Sequence, residues 1–375
     1  MAGIYIHVPF CKQACHYCNF HFSTNLGLQN DFQAALLKEI ELRLSYLQNE
    51  RIDTIYFGGG TPSLLSLSAI GEILNSLYLH FKISADPEIT LEANPDDMES
   101  RKLVGWKAAG INRLSIGVQS FFTEDLIWMN RAHNGDQAVQ ALKHTIAAGF
   151  DNFSLDLIYG SPGLSDENWG KNLHTAISFE PAHISCYALT VEPKTALFKM
   201  IRTNISEDID PEKQAAQFMT GIQTLESAGF EHYEISSFTK PGKRSRHNSS
   251  YWQSKKYLGL GPAAHSFDGI SRQWNIANNA LYIKSLMAGQ LCFESETLQP
   301  RDLLNEYIMT SLRTTEGIDL QYVSNQFGQE KGSLLENNAT IYLQSRQMVL
   351  FNEKLVLTKS GKLFADGIAA ALFVD

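Results

Sequence analysis

From its start to about residue 235 the chain alternates between two kinds of segment, and that alternation restricts the fold more than any other feature. Short β-rich runs occupy 4–8 (IYIHV), 54–57 (TIYF), 88–93 (EITLEA), 113–118 (RLSIGV), 153–159 (FSLDLIY) and 183–189 (HISCYAL). Amphipathic stretches follow them at about 30–49, 66–81, 97–109, 136–148, 166–178 and 212–228. Strands separated by helix-length segments must pair in parallel, with each helix as a crossover. Six such units predict a closed or partly closed barrel, with a doubly wound open sheet as the alternative. In either case ligands gather at the C-terminal ends of the strands, so the residues just after each run carry the functional information.

The remainder reads differently. Residues 190–211 and 236–300 are rich in Pro, Gly and polar clusters. From about 302, LLNEYIMTSL, DLQYVSNQF and LLENNATIYLQSR read as three helices. QMVLFNEKLVLT reads as a hairpin turning at Asn352–Glu353, and a last helix runs from about 360 to 372. That set predicts a winged-helix-like module. It has no basic helix, and the chain carries a net charge of −9, so a nucleic-acid partner is not expected. The expected domains are 1–235, a connecting segment 236–300, and 301–375. No apolar run approaches the roughly 20 residues of a membrane span. The chain enters IYIHV with no basic leader or small-residue cleavage site, which predicts a cytoplasmic protein.

Three of the five cysteines, Cys11, Cys15 and Cys18, fall within CKQACHYC. Five is an odd number, and in a reducing compartment a disulfide framework is not expected. Cys186 and Cys292 read as structural. A zinc site needs a fourth ligand, which His7, His16 or His21 could supply, but no second cysteine knuckle exists. Three thiolates suit a 4Fe–4S cluster in which one iron stays open for a substrate or cofactor. Phe20 stands where a fourth cysteine could sit; its ring is a candidate shield between cluster and water.

Gly58-Gly59-Gly60-Thr61-Pro62 follows the second strand. Alone it is a flexible turn; beside the cysteine cluster it lets backbone approach a ligand. Glu92, Gln119, Arg131 and Asp156 lie at or just beyond later strand ends. Singly they read as caps or ion-pair partners. Together they offer carboxylates for hydroxyls and a guanidinium for a carboxylate.

YIHVPFCKQACHYCNF, YFGGGTP, LEANPDD, RLSIGVQSF, NRAHN and SLDLIYGSPG together resemble the oxygen-independent coproporphyrinogen III oxidase family of radical SAM proteins. The resemblance covers nearly the whole chain. It implies an α/β fold, a partial (β/α)6 radical SAM barrel with the C-terminal winged-helix-like domain. It also implies a 4Fe–4S cluster on Cys11, Cys15 and Cys18, and S-adenosylmethionine (SAM) contacts at Tyr5, Tyr17, Gly59, Gly60, Thr61, Glu92, Gln119, Arg131, Asp156 and Ala188. Within that family, Phe20, the direct entry into the first strand, and HNSSYW at 247–252 resemble the HemW-type haem chaperone branch, as does LGLGPAAHSF at 258–267.

That branch implies haem as cargo and apo-haemoproteins of the respiratory chain as recipients. It further implies an electron donor such as flavodoxin or ferredoxin, peripheral approach to the membrane during delivery, and compatibility with a homodimer. Its alternative is porphyrinogen decarboxylation by the oxidase branch. The haem candidates are His247, Tyr251 and Trp252, with His265 second to His247. Imidazole is a good axial ligand and aromatic rings stack on porphyrin. Lys240, Lys243, Arg244 and Arg246 upstream are candidate partners for propionates. The structural reading of the same stretch is a solvated basic loop ending in a His–Trp packing pair.

Overall fold

The computed structural model describes residues 2–374. Six strands run parallel and adjacent: β1 (Ala2–Val8), β2 (Ile52–Gly59), β3 (Ile83–Ala93), β4 (Arg113–Gln119), β5 (Phe153–Tyr159) and β6 (His183–Ala188). Their helix-facing residues are apolar and fully buried: Ile4, Ile6 and Val8 on β1, Ile55 and Phe57 on β2, Leu155 and Leu157 on β5. Such near-continuous apolar runs belong to strands covered on both faces. Three of the helices begin where their sequences supply a cap. Ser66 accepts from Ala69 N–H, Asn134 and Gln137 cap each other reciprocally, and Asp210 precedes Pro211 at the first helical position.

The parallel set is extended at both ends. On the β6 side, β7 (Glu231–Glu234) and β8 (Ser237–Thr239) form a short antiparallel pair. On the β1 side, β9 (Tyr257–Leu260) pairs parallel to β1, and β10 (His265–Phe267), β11 (Ser271–Asn275) and β12 (Phe293–Thr297) continue antiparallel. The order runs from β12 to β7 without closing on itself, so the barrel is partial. The sheet order thus draws on residues of 236–300 that read as irregular, because three- to five-residue strands leave too short an alternation to detect. The helix Ala196–Arg202 within 190–211 escaped notice for the same reason.

Residues 300–374 pack around a separate core that includes Leu304, Ile308, Val323, Leu335, Met348 and Leu355. Helix Pro300–Leu312, strand β13 (Ile318–Asp319), helices Leu320–Phe327 and Gln329–Gln344, then hairpin β14 (Met348–Phe351) and β15 (Lys354–Leu357) make a winged-helix arrangement, with sheet order β13-β15-β14. Asn352 (φ 48°) and Glu353 (φ 61°) form the two-residue turn, both left-handed as a twisted hairpin demands. The expected last helix is two pieces, Lys359–Lys362 and Ala365–Ala371. Among the described residues no helix is long and apolar enough to cross a membrane.

Candidate functional site

The cysteines lie on the loop between β1 and helix Gln29–Leu42, and the fold grips that loop from several sides. Cys11 N–H donates to Ser23 O and Ser23 N–H to Pro9 O. His16 Nδ1 donates to Trp128 O at 2.7 Å and its N–H to Met129 O, while Leu197 N–H donates back to His16 O. Gln13 donates to Asn130 Oδ1 at 2.6 Å, and Asn130 Nδ2 to Ala14 O at 2.6 Å. Lys12 pairs with Asp96 and Asp97. A loop tied to 94–97, 128–131 and 197 holds its side chains in place before any ligand arrives.

All three thiols open into a cavity of about 470 Å3 at the C-terminal ends of the strands. Burial pushes the Cys11 thiol up to about 11, against the Thr61 hydroxyl, which favours its thiolate. Burial also raises Cys18. A positive centre is what would hold both as thiolates. Among the described residues no three His, Cys, Asp or Glu side chains converge on one ion. The histidines that a zinc site would enlist are engaged elsewhere: His7 Nε2 with His21 O, His16 with Trp128 O, His21 Nε2 with Asn279 Oδ1. A 4Fe–4S cluster makes a different demand, since each cysteine takes its own iron.

The glycine run is not a flexible hinge. Gly60 N–H donates to Val8 O at 2.9 Å, and a Cβ at Gly60 would stand 2.6 Å from Phe10 O. Gly59 is left-handed (φ 103°), and a Cβ there would meet the His7 ring at 2.6 Å. Glycine is required because the β2 turn lies directly on the backbone leading to Cys11.

Glu92 and Asp156 face the same cavity. Burial raises Glu92 to about 7, with Asp156 adding to the shift, while the Tyr56 hydroxyl donates to it at 2.7 Å. Asp156 is likewise raised by burial; Ser115 Oγ donates to its Oδ2 at 3.2 Å and its Oδ1 has no partner. Arg131 is anchored by Asn94 Oδ1 at 2.7 Å and Gly117 O at 2.9 Å, reaches Cys15 Sγ and the Tyr17 hydroxyl at 3.4 Å each, and leaves its buried Nε unpartnered. Gln119 ends β4 at a register break with φ 67°, a strained backbone on the cavity wall that costs on the order of 1–2 kcal/mol. An unpartnered carboxylate oxygen and an unpartnered guanidinium N–H in one cavity fit a ligand carrying both hydroxyl and carboxylate groups.

Of the residues singled out from sequence, Tyr17, Gly59, Gly60, Thr61, Glu92, Gln119, Arg131, Asp156 and Ala188 line this cavity with the three cysteines. Tyr5 does not; its ring lies behind Gly58, stacked near Tyr56 and His247. Phe20 also lines the cavity but is 67% exposed, so it stands on the rim and does not shield the thiols from water as expected. Gln13, Asn94 and Tyr187 line it too and were missed. Asn94 sits in ANPDD directly after β3, the place where strand-end reasoning looks.

HNSSYW forms helix Arg246–Trp252 at the other end of the barrel, beside the N-terminal ends of β1 and β2. Ser245 caps it, and Glu88 of β3 accepts from the Arg246 and His247 amides. His247 is buried, pushed down to about 3 by that burial and by Arg113, and stacks on Tyr56 at 4.9 Å. Both ring nitrogens are engaged, Nδ1 with Thr54 Oγ1 (2.8 Å) and Nε2 with the Tyr251 hydroxyl (2.9 Å). Iron ligation by His247 would require opening one of those bonds.

Trp252 faces outward into a groove of about 310 Å3 against the C-terminal module, with Tyr233, Tyr307, Tyr322 and Arg244. Its Nε1 and Ser249 Oγ are unpartnered. An adjoining pocket of about 290 Å3 carries Arg244, Arg246 and Lys255. Lys240 lies over the Phe230 ring and donates to Ala228 O, lining neither. His265 is exposed on β10, near Trp274.

Residues 5–176 match the Radical SAM superfamily and residues 298–364 the HemN C-terminal domain. The heme chaperone HemW of Mycobacterium tuberculosis is 33% identical over 375 residues, covering 99% of this chain and 94% of that protein. The heme chaperone HemW of Escherichia coli is 35% identical, covering 87% of this chain and 82% of that one. The structure of E. coli coproporphyrinogen III oxidase superposes with a TM-score of 0.85 over 100% of this chain and 90% of that one, at 22% identity, a likeness of fold.

Proposed function

The chain belongs to the HemW heme chaperone family of radical SAM proteins, and from that premise we propose that it is a haem chaperone that holds a 4Fe–4S cluster and SAM at one end of its barrel and haem at the other. One observation carries the reading: three thiols, the glycine run and the polar strand ends share one cavity.

Cys11, Cys15 and Cys18 would bind three irons and leave the fourth to SAM. The bound cluster would supply one electron to the sulfonium. The chain's own residues set the frame for that ligand. Gly59, Gly60 and Thr61 would line the ligand with a turn that packs directly on the cysteine loop. Asp156 and Glu92 would accept from hydroxyls, and Arg131 would pair with a carboxylate. Haem would lie against the Trp252 groove, with its carboxylates toward Arg244, Arg246 and Lys255. Apo-haemoproteins of the respiratory chain are the proposed recipients, and a flavodoxin or ferredoxin the electron donor.

The test is anaerobic reconstitution followed by two assays in parallel, haem titration and coproporphyrinogen III turnover with SAM and reductant. Stoichiometric haem binding without protoporphyrinogen formation is expected. Turnover at enzymatic rates would overturn the proposal in favour of the oxidase reading.

A further inference from the structure

The cluster thiols are not surrounded alike, and their differences trace to a single amide. Thr61 Oγ1 donates to Cys11 Sγ at 3.5 Å. Arg131 Nη1 reaches Cys15 Sγ at 3.4 Å. At Cys18 the Phe20 backbone N–H favours the thiolate. The first two donors belong to different loops, Thr61 after β2 and Arg131 after helix Thr123–Trp128, and Asn94 spans them. Its Oδ1 accepts from Arg131 Nη2 at 2.7 Å and its Nδ2 donates to Thr61 Oγ1 at 3.3 Å. The second bond matters for direction. A hydroxyl that accepts from Asn94 keeps its own proton free to point at Cys11. The first matters for position. Arg131 is half-buried, and together with Gly117 O the Asn94 oxygen fixes its guanidinium plane. Glu92 and Asp156 are no substitute anchors, since neither bonds to Arg131 or Thr61.

We propose that Asn94 is a positioning residue that holds Thr61 and Arg131 as donors to Cys11 and Cys15 and thereby raises the reduction potential of the cluster. This rests on the reading of the three cysteines as cluster ligands. The physical reason is general. Reduction adds negative charge to the cluster and its sulfurs, and donors, above all a cationic one, stabilise that charge.

The experiment is an EPR-monitored redox titration of the reconstituted full-length protein, without SAM, with iron and sulfide measured on every sample. N94A is expected to keep its iron and to show a reduced-to-oxidised ratio about tenfold lower at the wild-type midpoint, a shift of about −59 mV for one electron. R131K retains the charge without the planar fork and should shift in the same direction. T61V should shift, whereas T61S, which keeps the hydroxyl, should not. If N94A loses its iron, the T61V and T61S pair decides. Unchanged midpoints in N94A and T61V at full iron content would overturn the proposal. A wild-type protein that assembles no cluster would instead overturn the cluster reading beneath it.

Discussion

His247→Ala separates two accounts of HNSSYW. If the imidazole is a floor brace, its removal strands two buried hydroxyls, Thr54 Oγ1 and the Tyr251 phenol, and opens a void beneath Tyr56. Unpartnered buried groups cost about 1–3 kcal/mol each, less what water recovers by entering, and the void adds to that. The expected loss at pH 8 is about 3 kcal/mol. With a urea slope of about 3 kcal/mol per molar, the unfolding midpoint falls by about 1 M. The loss has a pH signature. His247 is held near 3 in the fold and titrates near 6.5 when unfolded, so below 6.5 the unfolded chain takes up a proton that the native one refuses. Wild-type stability therefore declines as pH falls from 6.5 toward 3, by up to about 1.4 kcal/mol per unit from this group, and H247A lacks that contribution. The gap between the two should narrow on acidification. Buried Trp106 and Trp169 report the transition by fluorescence. An unchanged midpoint with an altered Soret band in the haem complex would refute the brace and make His247 an iron ligand; an intact Soret band with the predicted loss supports it.

Three further outcomes are expected. Gly60→Ala sets a Cβ 2.6 Å from Phe10 O and 2.8 Å from Val8 O, so the β2 turn must lift off the cysteine loop; iron content after reconstitution should fall well below wild type while the far-UV spectrum is retained. Trp252→Ala removes one wall of the groove, and haem titration should show about tenfold weaker binding, about 1.4 kcal/mol, at unchanged iron content. Glu92 is held near 7 by burial, so its ionised fraction rises about tenfold between pH 6 and 8; SAM affinity measured by calorimetry should rise in step, and E92Q should flatten that dependence.

The parallel frame was legible because each strand–helix unit is long enough to show its period. FSLDLIY and the helix at 166–178 fall on their expected bounds. β10 has three residues and β13 two, and pairing partners far along the chain, not local pattern, make them strands. The site divides similarly. Cysteine spacing, a glycine triplet after a strand and charged strand ends are local signals, and they converge in the cavity. Tyr5 came with them from the family resemblance; its ring lies behind Gly58, beside Tyr56. Phe20 was expected as a shield because its ring is apolar; sequence does not reveal which way a loop ring faces, and this one is largely exposed.

HNSSYW gains most from the coordinates. Its helix amides bind Glu88, and Glu92 of the same strand lines the cysteine cavity. Four strand residues span about 13 Å, so the motif and the cavity occupy opposite ends of one short, rigid element. Between them Tyr5, Tyr56 and His247 pack ring against ring. A haem on the Trp252 groove would thus not touch the ligands of the cysteine cavity, and the motif's two halves acquire separate duties. His247 and Tyr251 are tied into the barrel floor by their mutual hydrogen bond, and Ser249 and Trp252 line the groove against the C-terminal module. Substitutions at Trp252 should therefore alter haem binding and leave the cavity's spectroscopy untouched, whereas substitutions at Asn94 should do the reverse.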